Sequence, residues 1–234
     1  MATNAQIKLV RSLSEKKFRD SHSLFVVEGE KMVQEALCSG YIVEQVFSAE
    51  KDGEQALSRM SHLSTPPSCL ALVRIPQADL SEDIPSELCL ALDGVRDPGN
   101  LGTIIRLADW FGVNTIYCAT PGSVDAFNPK VVQATMGSIF RVRLVYTDLG
   151  SLCARFIEKG LPVYGTLLDG ENIYTSSLRG EGLLVMGNES RGLSEGIRSL
   201  VSDSLRIPSF GRNGAESLNV ACACAIALSE FRRR

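Results

Sequence analysis

The chain has 234 residues, enough for one large domain or two small ones around a substantial core. Hydrophobic residues make up 44% and charged residues 22%, which rules out a disordered or fibrous chain. The net charge of -3 rules out a globally basic nucleic-acid binder but leaves room for a local basic patch. The longest apolar run, Val220 to Leu228, is too short to cross a bilayer, and the first residues show no charged segment leading into an apolar one. The expectation is a soluble protein of the cytoplasm. Seven cysteines, none in a C-x-x-C pair, and two histidines supply no zinc ligand set. Small buried thiols in a reducing compartment are expected, with no metal.

In chain order, residues 3–20 read as one helix with apolar positions Ile7, Leu9, Val10, Leu13 and Phe18. Lys8, Arg11, Lys16, Lys17 and Arg19 stand between them, against Glu15 and Asp20. This basic set is either a solvated helix face or an RNA contact. A short strand at 24–27, a helix near 31–38, a strand at 41–48, a helix near 55–62 and a strand at 71–73 complete a small α/β domain over residues 1–74. Residues 75–87, with Pro76, Pro85, Asp79, Glu82 and Asp83, read as a linker.

Residues 88–234 alternate strand and helix. Strands are predicted at 88–92, 115–119, 141–145, 163–167, 183–186 and 204–207. Helices are predicted at 101–111, 129–138, 149–159 and 217–232. The strands are continuous apolar runs, as buried parallel strands should be. The fold class is therefore α/β with a mostly parallel sheet. The last helix is apolar nearly all round and is expected to be buried on most faces.

In such sheets ligands bind beyond the carboxyl ends of the strands. Three strand-end loops there combine glycines with polar residues. They are residues 93–106, 187–194 and 207–220. The first has Gly99-x-x-Gly102 but not G-x-G-x-x-G, and the chain contains no G-x-x-x-x-G-K-[ST]. His22 and His62 lie far from these loops, which disfavours a Ser–His–acid hydrolase. Each polar residue in the loops has a structural role open to it. Asn100 could cap a helix beginning at Leu101, Arg106 could be a surface charge, and Glu189 could be a turn carboxylate. Ser217 and Asn219 could cap the last helix.

Taken in order, the three loops resemble the three motifs of the SpoU/TrmH-type RNA ribose 2′-O-methyltransferases of the SPOUT superfamily. The matching residues are Asn100, Gly102 and Arg106; then Gly187, Asn188, Glu189 and Gly192; then Ile207, Pro208, Ser217, Leu218, Asn219 and Val220. Asn128-Pro129-Lys130 and Ser138 look like the family's central helix. Arg19, Phe25, Val27, Glu28-Gly29 and Glu35-Ala36-Leu37 look like its small substrate-binding domain. The sequence departs from the family at Ser190, where glycine is common, and in motif three, which is about two residues longer around Arg212-Asn213-Gly214-Ala215.

The resemblance implies a trefoil-knotted C-terminal domain, a property that spacing alone argues against. It implies S-adenosylmethionine (SAM) as cofactor, RNA as substrate with ribosomal RNA favoured over transfer RNA, and a homodimer whose active site draws on two chains. Arg106, Asn100, Glu189, Ser217 and Asn219 are implied as catalytic, with Glu189 holding Arg106 or Asn100 or closing the cofactor loop. Gly187, Ile207, Leu218, Thr166 and Leu167 are implied as walls of the SAM pocket. The family gives Arg106 the role of base. Because a guanidinium is normally a permanent cation, it either loses its proton in a reshaped site or stays charged and stabilises the oxyanion. A non-catalytic RNA-binding module of the same fold and a nucleotide-cofactor oxidoreductase are the alternatives; the missing third glycine disfavours the latter.

Overall fold

The computed structural model describes residues 1–77, 83–211 and 216–233. Part of the expected linker and the longer stretch of motif three, 212–215, lie outside the described residues. In chain order the elements are α1 (Asn4–Ser12), α2 (Lys16–His22), β1 (Leu24–Glu28), α3 (Glu30–Leu37), β2 (Val43–Ser48), α4 (Ala49–Asp52), α5 (Glu54–Met60) and β3 (Cys69–Arg74). There follow β4 (Leu88–Leu92), α6 (Pro98–Trp110), β5 (Thr115–Ala119), α7 (Pro129–Thr135), a 3-10 turn at Ser138–Phe140, β6 (Arg143–Thr147) and α8 (Leu149–Glu158). The chain ends with β7 (Val163–Asn172), β8 (Gly182–Met186), α9 (Glu195–Arg198), β9 (Asp203–Arg206) and α10 (Val220–Arg233). Among the described residues no helix is long and apolar enough to cross a membrane, and no group of three or more His, Cys, Asp or Glu side chains could hold a metal ion.

Packing divides the chain into two units. One comprises Met1–Ala78 and Asp125–Arg141, the other Asp79–Val124 and Val142–Arg234. In the first, β1, β3 and β2 form an antiparallel sheet in that order. Ile7, Val10 and Leu13 of the first helical segment pack with Leu57, Met60, Phe47 and Leu70. The 125–141 segment joins this unit through an aromatic cluster. Phe25 lies 4.8 Å from Phe127, and Tyr41 meets Phe140 edge-on at 5.2 Å.

The expected helix over 3–20 is two helices, and the cause is Arg19. This residue is only 2% exposed. Its Nη1 donates to the Leu13 and Ser14 carbonyls at 2.7 and 2.8 Å, and its Nη2 pairs with Asp125 at 2.6 Å. A guanidinium can take those carbonyls only where the helix ladder has stopped using them. The amphipathic spacing runs straight through the break, so periodicity does not reveal it.

The second unit holds a parallel six-stranded sheet in the order β6-β5-β4-β8-β7-β9. Every residue of β4 and β8 is buried. From β4 the chain winds outward through β5 to β6, then crosses to the other side for β7 and returns to insert β8 beside β4. The order reverses at the β4–β8 pair, which puts the loops after these two strands at the switch point where α/β sheets bind ligands. Ile84, within the expected linker, is buried in this unit's core. Helix α10 packs along α6, and Arg232 near its end donates to the Phe111 and Gly112 carbonyls at 2.6 and 2.7 Å. The expectation that α10 is buried on most faces is not met. Val220, Ala221, Cys224, Ala227, Leu228 and Phe231 are covered, whereas Cys222 and Ser229 are exposed and Ile226 is half-exposed.

Candidate active site

The loop after β4 reaches α6 through Asp97-Pro98. Asp97 caps the helix by accepting the Asn100 backbone N–H at 2.8 Å, and Pro98 occupies a first-turn position that needs no donor. Asn100 is therefore not the cap, which leaves its side chain free for other partners. Its Nδ2 donates to Glu189 Oε1 at 3.0 Å, and its Oδ1 accepts from Asn219 Nδ2 at 2.9 Å. Asn219 is the cap of α10: its Oδ1 accepts the backbone N–H groups of Ala221 and Cys222 at 2.9 and 3.3 Å. One chain of hydrogen bonds, Glu189–Asn100–Asn219, thus joins all three strand-end loops.

The loop after β8 is built to present Glu189. Asn188 and Gly192 exchange backbone hydrogen bonds at 2.9 and 3.0 Å, closing a tight turn. Asn188 Oδ1 accepts from the Ser190 and Arg191 N–H groups at 3.0 and 3.2 Å, and its Nδ2 reaches the Gly94 carbonyl at 2.7 Å. A Cβ on Gly187 would come within 2.4 Å of the Gly192 carbonyl carbon, so closure of this turn requires glycine there. Burial alone would raise the Glu189 carboxyl. Hydrogen bonds from Asn100 and from the backbone N–H groups of Glu189, Asp97 and Arg96 outweigh that and hold it below the usual range. Glu189 is thus a carboxylate at neutral pH and a weak base. It positions Asn100; it does not hold Arg106.

Arg106 is not brought into this cluster. It lies six residues along α6 from Asn100, roughly 9 Å along the axis and about 120° around it. It is exposed and has no hydrogen-bond or ion-pair partner among the described residues. Thr103 and Trp110 share its face of the helix, and Trp110 is 84% exposed. Ser217 is also exposed and makes no hydrogen bond among the described residues.

Of the expected cofactor walls, Thr166 and Leu167 lie within β7, Gly187 directly follows β8, and Ile207 and Leu218 lie between β9 and α10. After Thr166 the register with β9 breaks and resumes only at Glu171, so residues 167–170 bulge from the sheet. Thr166 donates its hydroxyl to the Val185 carbonyl at 3.2 Å. Ile207 is half-buried, while Leu168 and Leu218 are 74% and 51% exposed. The basic set in the first unit divides. Arg19 is engaged internally and presents nothing to a phosphate, a correction to its expected role. Lys16 pairs with Asp20 at 2.7 Å and Lys17 with Glu15 at 2.9 Å. Lys8 and Arg11 are exposed and line a groove of about 830 Å³ together with Arg59 and Phe18, and Arg11 also donates to the Ser61 carbonyl.

Two residues that the sequence does not single out support the site. They are Asp97 and Asp93, which accepts the Ser194 N–H at 2.7 Å. Asp-Pro before an apolar helix is a start signal that finds Asp97; no local pattern separates Asp93 from an ordinary loop acid.

A profile of the SpoU rRNA Methylase family matches residues 87–229. The chain belongs to that family. Residues 4–73 of the SpoU-family chain match the MRM3-like substrate binding domain. It is 32% identical to the 23S rRNA (guanosine(2553)-2′-O)-methyltransferase RlmP of Bacillus subtilis, covering 99% of this chain and 97% of that protein. An AdoMet-bound rRNA methyltransferase from Sinorhizobium meliloti superposes with a TM-score of 0.87 at 32% identity, covering 100% of this chain and 96% of that one. A TrmH-family protein from Porphyromonas gingivalis gives 0.90 at 39% identity, covering 100% and 99%.

Proposed function

We infer that this SpoU-family enzyme, an SAM-dependent RNA ribose 2′-O-methyltransferase, acts on ribosomal RNA in the cytoplasm as a homodimer. The observation that carries the reading is the Glu189–Asn100–Asn219 chain, which binds the three family motifs into one site. Relatives named for 23S rRNA support the choice of RNA.

The residues present fit SAM. The bulge within β7 and the segment after β9 leave Leu168, Phe210 and Leu218 uncovered, apolar surface suited to a purine and a thioether chain. Gly187, Ile207 and Leu218 would hold the cofactor, with Thr166 and Leu167 at the bulge. SAM supplies an electrophilic methyl carbon, so the protein has to align the ribose oxygen and manage its proton. Glu189 fixes Asn100, and Asn100 with Asn219 orients polar groups of the substrate at the mouth. Ser217, free of internal bonds, is available to the ribose. The Arg106 guanidinium stabilises the ribose oxygen as that oxygen gives its proton to water and takes the methyl carbon.

The homodimer reading rests on the face of α6 that carries Arg106. An uncovered tryptophan one turn from an unpartnered arginine suits burial against a second copy. That arrangement delivers Arg106 to the partner's Asn100 cluster, which explains its distance from its own. In the first unit, Lys8 and Arg11 follow the RNA backbone along their groove. A transfer assay with radiolabelled methyl-SAM, using ribosomal and transfer RNA from cells lacking the gene, tests the reading. Label in ribosomal RNA 2′-O-methyl nucleosides is expected, and label only in transfer RNA would overturn the choice of RNA.

A further inference from the structure

The second unit contains three arginines without a partner among its described residues: Arg96, Arg106 and Arg191. The other described arginines of this unit are engaged. Arg179 pairs with Glu181 and Arg198 with Asp169, Arg206 donates to the Gly170 carbonyl, and Arg232 and Arg233 bind backbone and Glu230. Arg143 and Arg155 also have partners. Two of the three free arginines, Arg96 and Arg191, sit on the two switch-point loops and flank the Glu189 carboxylate. Arg96 directly precedes Asp97, whose backbone N–H donates to Glu189 at 3.3 Å, and Arg191 is two residues beyond Glu189 on the turn fixed by Asn188.

The same loops hold carboxylates that leave these arginines unpaired. Asp93 accepts from Ser194 N–H, Asp97 from Asn100 N–H, and Glu189 from Asn100 and Asp97. Opposite charges thus share a few residues of backbone, yet each acid is satisfied by amide donors. Two exposed guanidiniums on rigid loops remain for an anion from outside.

We propose that Arg96 and Arg191 form a phosphate clamp that grips the RNA backbone flanking the target nucleotide, a role separate from that of Arg106. The proposal rests on the methyltransferase reading of the same site. SAM is a poor candidate for the anion. Its single carboxylate is outweighed by an ammonium and a sulfonium, so clustered arginines repel it overall, whereas each RNA phosphate carries a full negative charge. Guanidinium forks match phosphate oxygens two at a time, and such contacts fix register without reading sequence.

The test compares wild type, R96Q/R191Q and R96K/R191K on ribosomal RNA from cells lacking the gene. The Gln pair should raise the KM for RNA on the order of 10-fold, with a smaller change in kcat. It should also make the log–log salt dependence of filter-binding affinity shallower by roughly 1–2. The Lys pair should recover most of the salt slope but only part of the KM. SAM affinity, read by calorimetry, should hold in both. An unchanged salt slope, or a loss of SAM affinity, would overturn the clamp. Filter binding needs no turnover, so a wild type that binds RNA but transfers no methyl group fails the function reading while the clamp is still tested.

Discussion

Asn219 donates its amide to Asn100 at 2.9 Å, across 119 positions of sequence, while its own oxygen caps α10. The two jobs fix the amide's orientation: oxygen toward the helix N–H groups, nitrogen toward Asn100. Asn100 must then present oxygen to Asn219 and nitrogen to Glu189, so the polarity of the whole chain is determined by a helix cap. Asn219→Asp keeps the capping oxygen but sets an acceptor against the Asn100 oxygen. Its melting temperature should stay near wild type while methyl transfer falls. Asn219→Ala should lose both, with about 1 kcal/mol of cap stability gone and the melting temperature lower by roughly 2–4 °C. Thermal melts beside a transfer assay separate the two; wild-type turnover in Asn219→Asp would remove the Glu189–Asn100–Asn219 chain from the mechanism.

Arg19 and its exposed neighbours should respond in opposite ways to alanine. Arg19 is buried against Asp125, so Arg19→Ala strands a carboxylate and two carbonyls and should cost about 3–5 kcal/mol. Lys8→Ala should leave stability within about 0.5 kcal/mol, and Lys8→Ala and Arg11→Ala should each flatten the salt dependence of RNA binding. Urea unfolding and filter binding on the same three variants check this. An Arg19 variant of normal stability would refute the account of the broken helix.

Much of the second unit is legible in the sequence because buried parallel strands are continuous apolar runs; β4 and β5 fall where the pattern puts them. The boundaries at α6 and α10 are less legible. Asp97 and Asn219 set them through capping, whereas apolar periodicity marks only the helix interiors. The identities of Asn100, Glu189 and Asn219 were readable from motif order, but their mutual bonds were not, since they depend on strand order reversing at β4–β8. The role of Arg19 is not legible because a buried arginine and a solvated one look alike in a basic helix. Only the partner, Asp125, over a hundred residues away, distinguishes them.

Glu28 gives the first unit a pH dependence. Burial alone would raise its carboxyl. The side-chain bond from His62, the Ser61 hydroxyl, the His62 backbone N–H and the His62 charge outweigh that and hold it below its ordinary 4.5. A carboxylate depressed in the folded state stabilises the fold fully above its unfolded value and ceases to as pH falls through the folded one. Stability should therefore decline below about pH 4.5, and Glu28→Gln should be less stable at pH 7 but flatter across the acid range. Urea midpoints from pH 3 to 7 give the comparison; parallel curves for the two proteins would exclude Glu28 as the source.

If Arg106 serves the partner's Asn100 cluster, two dead variants should rescue each other. Arg106→Ala and Asn100→Ala should each bind SAM and each lose transfer by a factor on the order of 10²–10⁴. Mixed and allowed to exchange subunits, they should recover roughly a quarter of wild-type activity, since half the dimers hold one intact site of two. A mixture as inactive as its components would place Arg106 with its own chain's Asn100.

The activity inferred for this protein places a methyl group on a ribose oxygen of ribosomal RNA. Mass spectrometric mapping of 2′-O-methyl nucleosides in ribosomal and transfer RNA, from cells with and without the gene, tests it most directly. The prediction is a single ribosomal ribose methylation that disappears with the gene, returns with the wild-type protein and does not return with Arg106→Ala. Ribosomal RNA maps identical with and without the gene, or a lost mark on a base, would contradict it.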